Sequence, residues 1–202
     1  GEELRQAWTS ETALDSLMSK GSVWKYYDGG EVPSDWQDRE FDDSAWDEGP
    51  AVLGYGENTR VATTLSFGDD PQNKRPACYF RRSFQVDDLA GIEFLVASLG
   101  RDVGGGAVLY LNGQELVRSN IGEGAMFSWG GGTPEAQGYY TLLASAESLR
   151  QGQNLLAVSA HLSHSASSDL TFDLQLYGVG DVLAGVLEEI GLEESVWSVL
   201  EK

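Results

Sequence analysis

The sequence has one cysteine, two histidines and no long apolar run, and each scarcity excludes a class of protein. Cys78 has no partner within the chain for a disulfide bond or a cysteine-pair metal site, so we expect a small buried hydrophobic residue. No apolar stretch approaches the roughly 18 residues that a membrane-spanning helix needs, and no membrane insertion is expected.

Basic residues are also scarce. The chain has 13 Lys and Arg against 32 Asp and Glu, which gives a net charge of −19. A surface this negative repels phosphate backbones and anionic lipids, so nucleic-acid binding is not expected. Solubility alone would explain the acidity.

Glycine is abundant, with 25 residues, and hydrophobic residues make up 41% of the chain. Short apolar runs separated by turn residues are typical of an all-β protein with enough core to fold. They predict a two-sheet β-sandwich or jelly roll. The predicted strands are 23–27, 59–66, 77–86, 92–99, 107–111, 114–118, 139–143, 154–162 and 169–177.

Two patterns support this prediction. Asn112-Gly113 between two apolar runs predicts a tight hairpin, because both turn positions need positive φ. Alternation places Phe80, Arg82 and Phe84 on one strand face. Arg82 therefore needs a polar partner or an edge position.

Helical spacing predicts short extensions at both termini. Residues 2–20 are expected to form a helix, with Ser10 as its N-cap and Gly21 after its end. Residues 181–202 carry two apolar stripes separated by Gly191 and are expected to form two amphipathic helices. The predicted organisation is a helical extension over 1–22, a β-sandwich over 23–178 and amphipathic helices over 179–202.

Several motifs follow one another in the order found in a known family. They are Trp36–Trp46 with Gly49–Gly56, then Tyr79–Phe84 with Ala107–Asn120, and then Asn154–His161 with Ser167–Leu176. Together they resemble a galactose-binding-domain-like accessory domain of bacterial extracellular multidomain proteins. That domain occurs beside metallophosphoesterases, CotH-type and lamin-tail-type modules, and glycoside hydrolases.

The resemblance implies a galactose-binding-like jelly roll with a non-catalytic role, located outside the cell, at the cell surface or in the periplasm. The sequence departs from the family in two places. A glycine-rich stretch, Gly100–Gly106, stands where the family has a compact Asp-Asp-Gly. Leu162 stands where the family has a Gln after the late His161. If the family's Asp-Asp-Gly or its Gln binds a ligand, that role need not apply to this chain.

Residues 120–138 form a predicted long loop that carries Trp129. Sugars stack on exposed aromatic rings while polar groups bond their hydroxyls, so Trp129 is a candidate glycan-binding residue. The candidate polar neighbours are Arg101, Asp102, Arg118 and Asn120, with Tyr139 beside the loop. Alternatively, Trp129 packs its loop onto the sandwich.

The acidic residues suggest structural calcium rather than catalysis. Asp42 and Asp43 are adjacent, and a glycosidase needs carboxylates across a cleft, so we interpret Phe41–Trp46 as a capped turn anchored by its aromatic residues. Acidic loops suit a Ca²⁺ ion, which binds oxygen ligands. The first candidates are Asp42, Asp43 and Asp169. Further candidates are Asp69, Asp70, Asp102 and Asp173.

The histidines do not predict catalysis either. His161 and His164 lie near serines, but a triad also needs an orienting acid and an oxyanion hole, and no Gly-x-Ser-x-Gly motif is present. A strand-end histidine bonded to the backbone is the simpler interpretation. No catalytic residue and no required cofactor is predicted.

The sequence therefore predicts a non-catalytic accessory module that binds a polysaccharide or cell-surface glycan. The alternative is a structural or interaction domain that docks to neighbouring domains or subunits through the terminal helices.

Overall fold

The computed structural model describes residues 14–56, 61–102, 104–122 and 138–180. These residues form twelve β-strands and no helix. The strands are β1 (Leu14–Met18), β2 (Val23–Tyr27), β3 (Asp47–Pro50), β4 (Leu53–Tyr55), β5 (Thr63–Thr64), β6 (Ala77–Val86), β7 (Phe94–Arg101), β8 (Gly106–Leu111), β9 (Gln114–Ser119), β10 (Gly138–Ser145), β11 (Gly152–His161) and β12 (Leu170–Val179).

The strands form two six-stranded sheets. Sheet A has the order β10-β7-β12-β4-β5, and β1 also pairs with β12. Sheet B has the order β3-β2-β6-β11-β8-β9. All pairs are antiparallel except β4–β5. The expected all-β, two-sheet architecture is confirmed.

The main core lies where the two sheets face each other. Phe80 of sheet B stacks on Phe172 of sheet A with ring centroids 4.0 Å apart, and Trp24 meets Phe172 edge-on at 4.9 Å. All three side chains are fully buried. Cys78 is also buried in this core, and its burial raises the pKa of its thiol. The prediction of an inert core cysteine is confirmed.

The periodicity of the sequence predicted the positions of many strands correctly. The bounds of β2 and β6 match their predictions, and the Asn112-Gly113 turn has φ values of 54° and 88°, as the hairpin requires. Arg82 has the partner it needs, because Nη1 donates to the carbonyl of Val23. The short strands β3 and β4 were missed, since three or four residues carry too little periodicity.

The predicted N-terminal helix is wrong over residues 14–18. This segment is β1, which pairs with the end of β12 from Leu14↔Val179 to Met18↔Leu176. Met18 is buried in the main core, and pairing along a sheet edge satisfies the backbone groups. Tertiary pairing outweighs local helical spacing here. Residues 19 and 20 are not helical either. Residues 2–13 of that predicted helix, and both C-terminal helices over 181–202, lie outside the described residues.

A second cluster of buried side chains covers the outer face of sheet B. We call it the outer aromatic cluster; it contains Trp36, Ala77, Tyr79, Val108, Tyr110 and Ala157, with Tyr27, Val32, Phe41, Trp46 and Ile121 packed against it. Trp36 is 1% exposed and meets Tyr79 and Tyr110 edge-on. The loop between β2 and β3, residues 28–46, carries its aromatic residues to this face.

Candidate functional site

Arg81 organises the loop that covers sheet B. Its side chain is nearly fully buried on β6, where it faces away from the main core. Nη1 donates to the carbonyls of Trp36 and Asp38 (3.0 Å for the second), and Nη2 donates to the carbonyl of Phe41 at 3.4 Å. One guanidinium therefore bonds three loop carbonyls, of which that of Asp38 also accepts from the Phe41 amide at 3.2 Å.

Asp43 completes this arrangement. Its Oδ2 lies 2.7 Å from Nε of Arg81, and its Oδ1 lies 2.6 Å from Nζ of Lys25. Burial alone would raise the pKa of this carboxyl, but the hydrogen bonds from Lys25 and Arg81 outweigh burial and lower it. Asp43 is therefore a charged anchor between the loop and strands β2 and β6.

The neighbouring Asp42 closes a local turn. Its Oδ1 accepts a hydrogen bond from the Ser44 amide at 3.0 Å, and hydrogen bonds from Ser44 lower the pKa of its carboxyl. Phe41 and Trp46 pack together with centroids 5.8 Å apart. The interpretation of this segment as a capped turn with aromatic anchors is confirmed, although the anchors enter the outer aromatic cluster rather than the core between the sheets.

A polar cleft of about 240 Å³ opens where loop 28–46 meets the exposed part of sheet B. Arg39, Glu40 and Phe41 form its loop side, above the Asp43–Arg81 pair. Strands β6 and β11 form the other side through Ser83 and the segment Gln153–Leu155. Sequence reasoning missed this cleft, because its walls are distant in the chain and carry no common motif.

The predicted glycan-binding residues occupy one end of the sandwich. Arg101 ends β7 and is buried, with Nε donating to Oγ of Ser119 at 2.9 Å. Its Nη1 donates to the carbonyls of Asp102 at 3.0 Å and Gly105 at 2.8 Å. The guanidinium carbon lies 4.0 Å from the Tyr140 ring centroid. Arg101 thus ties the glycine-rich turn to both sheets.

Asn120 and Asp102 belong to the same network. Asn120 has φ of 53°, and its Nδ2 donates to the carbonyls of Gly104 at 3.1 Å and Gly105 at 2.8 Å. Asp102 is buried beside them. The structure brings Arg101, Asp102 and Asn120 together, as predicted, and shows that their hydrogen bonds hold the turn 102–106.

Arg118 and Tyr139 lie nearby with different partners. Arg118 forms a two-pronged ion pair with Glu115, in which Nη2 lies 2.5 Å from Oε2, and Nη1 donates to the carbonyl of Gly122 at 2.6 Å. Trp129 lies outside the described residues, and so does the rest of 123–137. The ends of that segment, Gly122 and Gly138, both lie at this end of the sandwich. Ligand binding by these six residues stays a prediction.

Tyr139 crosses the outer face of sheet A. Its register partner is Gly100, where an added Cβ would lie 3.0 Å from the ring. The Tyr139 hydroxyl donates to Oδ2 of Asp173 at 2.6 Å, and Oδ1 of Asp173 accepts from the Gly21 amide at 3.1 Å. Nζ of Lys20 lies 3.4 Å from the ring centroid. Burial, and next the bond to Asp173, raise the pKa of the Tyr139 hydroxyl, so it stays protonated.

The first calcium candidates do not come together. Asp43 directs both oxygens to cationic groups, and Asp169, which accepts from Oγ of Ser168 at 3.0 Å, lies before β12 in sheet A. Across the described ranges, no three acidic, histidine or cysteine side chains are grouped to hold a metal ion. Calcium binding by Asp42, Asp43 and Asp169 stays a prediction.

His161 is buried at the end of β11, and its Nε2 lies 2.8 Å from Oγ of Ser159. One of its partners is thus a side chain, and a bond from His161 to the backbone stays a prediction. Among the residues described, no helix is long and apolar enough to cross a membrane.

Three solved bacterial enzyme structures contain a part with a similar fold. A β-glucuronidase 2 from Bacteroides uniformis matches 83% of this chain at 17% identity with a TM-score of 0.54. A β-glucuronidase from an uncultured Clostridium species matches 86% at 18% identity and a TM-score of 0.52. A glycosyl hydrolase family 2 member from Bacteroides cellulosilyticus matches 81% at 15% identity and a TM-score of 0.51.

These matches cover only part of each enzyme. The chain spans 18%, 30% and 20% of the three solved structures, respectively. At such low identity, the likeness is one of fold. No protein-family model and no curated protein matches the sequence.

Proposed function

We propose that this chain is a non-catalytic, galactose-binding-like module that attaches a larger carbohydrate-active protein to a glycan. The observation that carries the proposal is the fold likeness: most of this chain matches a minor part of much larger glycoside hydrolase family 2 enzymes. Outside the cell, at its surface or in the periplasm, such a module would concentrate its parent protein on polysaccharide.

The roles of the buried ionisable residues support a non-catalytic module. Arg81 and Arg101 each bond loop carbonyls, and Asp173 joins Gly21 to Tyr139. Asp43 is held between two cations. The hydrogen bonds of these groups stabilise the fold, whereas a general acid or base must reach a substrate proton.

Affinity electrophoresis tests the proposal. The purified chain is run in native gels that contain neutral or acidic soluble polysaccharides, with calcium or with a chelator. We expect retardation by at least one polymer. If no polymer retards the chain, the glycan-binding proposal fails. Loss of retardation in chelator would support the predicted calcium dependence.

The same gels test the predicted residues at the sandwich end. If Trp129 and its neighbours bind the glycan, Trp129→Ala abolishes retardation. If Trp129→Ala migrates like the parent chain, the ligand binds elsewhere.

The alternative function is an interaction domain. It is favoured by the two apolar stripes over 182–200, which would pack against a neighbouring domain or a second copy. Deletion of 181–202 would then change the association state in size-exclusion chromatography. An unchanged association state and stability would remove this alternative.

A further inference from the structure

Several polar side chains line the cleft on sheet B without taking part in the hydrogen bonds that stabilise the described fold. Arg39, Glu40, Ser83 and Gln153 line it and are exposed, and within the described part of the chain their side chains form no hydrogen bond or ion pair. Arg39 offers donors and Glu40 offers acceptors, while a hydroxyl and an amide offer both. A ligand with several hydroxyl groups uses both kinds, because each hydroxyl donates and accepts.

Phe41 lies at the loop edge of this cleft, whose surface is almost entirely polar. Its ring is half-buried and held by an edge-on contact with Trp46 at 5.8 Å. The guanidinium of Arg81 lies 5.2 Å from the ring centroid. Phe41 therefore fixes the loop edge, and the cleft offers a ligand hydrogen-bonding groups rather than an apolar surface.

The volume of the cleft favours a small ligand or a small part of a larger one. A volume of about 240 Å³ lies below the range of about 300–1,000 Å³ that is usual for drug-sized ligands. One sugar ring with its hydroxyls is smaller than such a ligand. The cleft therefore suits a single ring, either at a chain end or as one unit of a polymer.

The charges around the cleft favour a neutral ligand. Arg39 and Glu40 are neighbours of opposite sign, and the Asp43 carboxylate is already paired with Lys25 and Arg81. The chain as a whole carries a net charge of −19, which opposes the approach of an acidic polymer.

We infer that this cleft is the glycan-binding site of the module and that it holds one pyranose ring of a neutral polysaccharide. Ser83 and Gln153 bond the ring hydroxyls from the sheet, and Arg39 and Glu40 bond them from the loop. This inference rests on the proposed function, and it assigns the binding site to residues other than those at the sandwich end.

Substitutions in the cleft test the inference in gels that contain a retarding neutral polymer. Glu40→Ala and Gln153→Ala each remove hydrogen bonds to the ligand and should weaken affinity about tenfold. Ser83→Phe fills the cleft without removing an internal hydrogen bond and should abolish retardation. The matched control is Gln175→Ala on the outer face of sheet A, which should bind like the parent chain. Unfolding midpoints of all four variants verify that each is folded.

The possible outcomes separate the inference from the proposed function. If the parent chain binds a neutral polymer and the cleft variants bind equally well, the cleft is not the site, but the module still binds glycan. If the parent chain binds only acidic polymers, the neutral-ligand inference is overturned. If it binds no polymer, both the inference and the proposed function fail. Selective loss in the three cleft variants supports the inference.

Discussion

The outer faces of the two sheets differ in what covers their strands. On sheet B, loop 28–46 lays Trp36, Phe41 and Trp46 over the strands, and Arg81 fixes the loop from below. On sheet A, residues in register form rows across the strands; in one such row the Tyr139 ring passes over Gly100 and its hydroxyl bonds Asp173. A loop that covers part of a sheet leaves a border, and the cleft lies at that border.

The largest loss of stability is expected from a substitution on the outer face of sheet B, which loop 28–46 covers. Trp36→Ala removes a side chain that is 1% exposed and should lower the free energy of unfolding by about 3–5 kcal/mol. Guanidinium unfolding measures this loss. The comparison is Tyr177→Ala, a half-buried residue of β12 on the outer face of sheet A, which should cost clearly less. Equal losses would show that the two faces do not differ as described.

Arg81→Met should cost about 3 kcal/mol or more, because the carbonyls of Trp36 and Phe41 lose the Arg81 donor and Asp43 loses one of its two cations. Urea unfolding measures the change. Arg82→Met is the control, since Arg82 is less buried and donates to the carbonyl of Val23 alone. Similar losses for both arginines would contradict the role of Arg81 as the loop anchor.

Asp43→Asn should cost about 1.5–3 kcal/mol at neutral pH, which is the contribution of hydrogen bonds to a charged group. The folded state lowers the pKa of Asp43, so the carboxylate stabilises the fold above the unfolded pKa of about 3.9. That stabilisation is lost as the pH falls through the lower, folded pKa. Melting curves from pH 7 to pH 2 should converge for the two proteins. A constant difference would rule out this linkage.

The smallest effect is expected on sheet A. Tyr139→Phe removes the hydrogen bond to Asp173 and should cost about 1 kcal/mol, because Asp173 keeps its bonds from the amides of Gly21 and Leu174. Thermal melting measures it. If Tyr139→Phe cost as much as Arg81→Met, the hydrogen bond from Tyr139 to Asp173 would stabilise the protein as strongly as Arg81 does. The two faces would then not differ as described.

Sequence reasoning predicted the strands better than the site. Long apolar runs such as Ala77–Val86 carry their own periodicity, and they were located correctly. Arg82 was singled out because it interrupts an apolar stripe, yet Arg81 is the buried residue that holds the loop. Alternation shows which side chains share a face, but it does not show what covers that face.

The candidate glycan-binding residues illustrate the same limit. Arg101, Asp102 and Asn120 were expected to meet, and they do, because a strand end, a turn and the end of a hairpin converge there. Their polarity alone could not distinguish ligand binding from support of the turn, since both roles use the same donors and acceptors.

The sequence by itself determined the all-β architecture and the Asn112-Gly113 hairpin. These features follow from local periodicity and turn chemistry. Only the tertiary structure decided that residues 14–18 complete sheet A as a strand, that Arg81 reaches the carbonyl of Trp36, 45 residues away, and that a cleft opens beside them. The physical reason is that a polar group's partner is set by which distant segments pack together, and that depends on the whole fold.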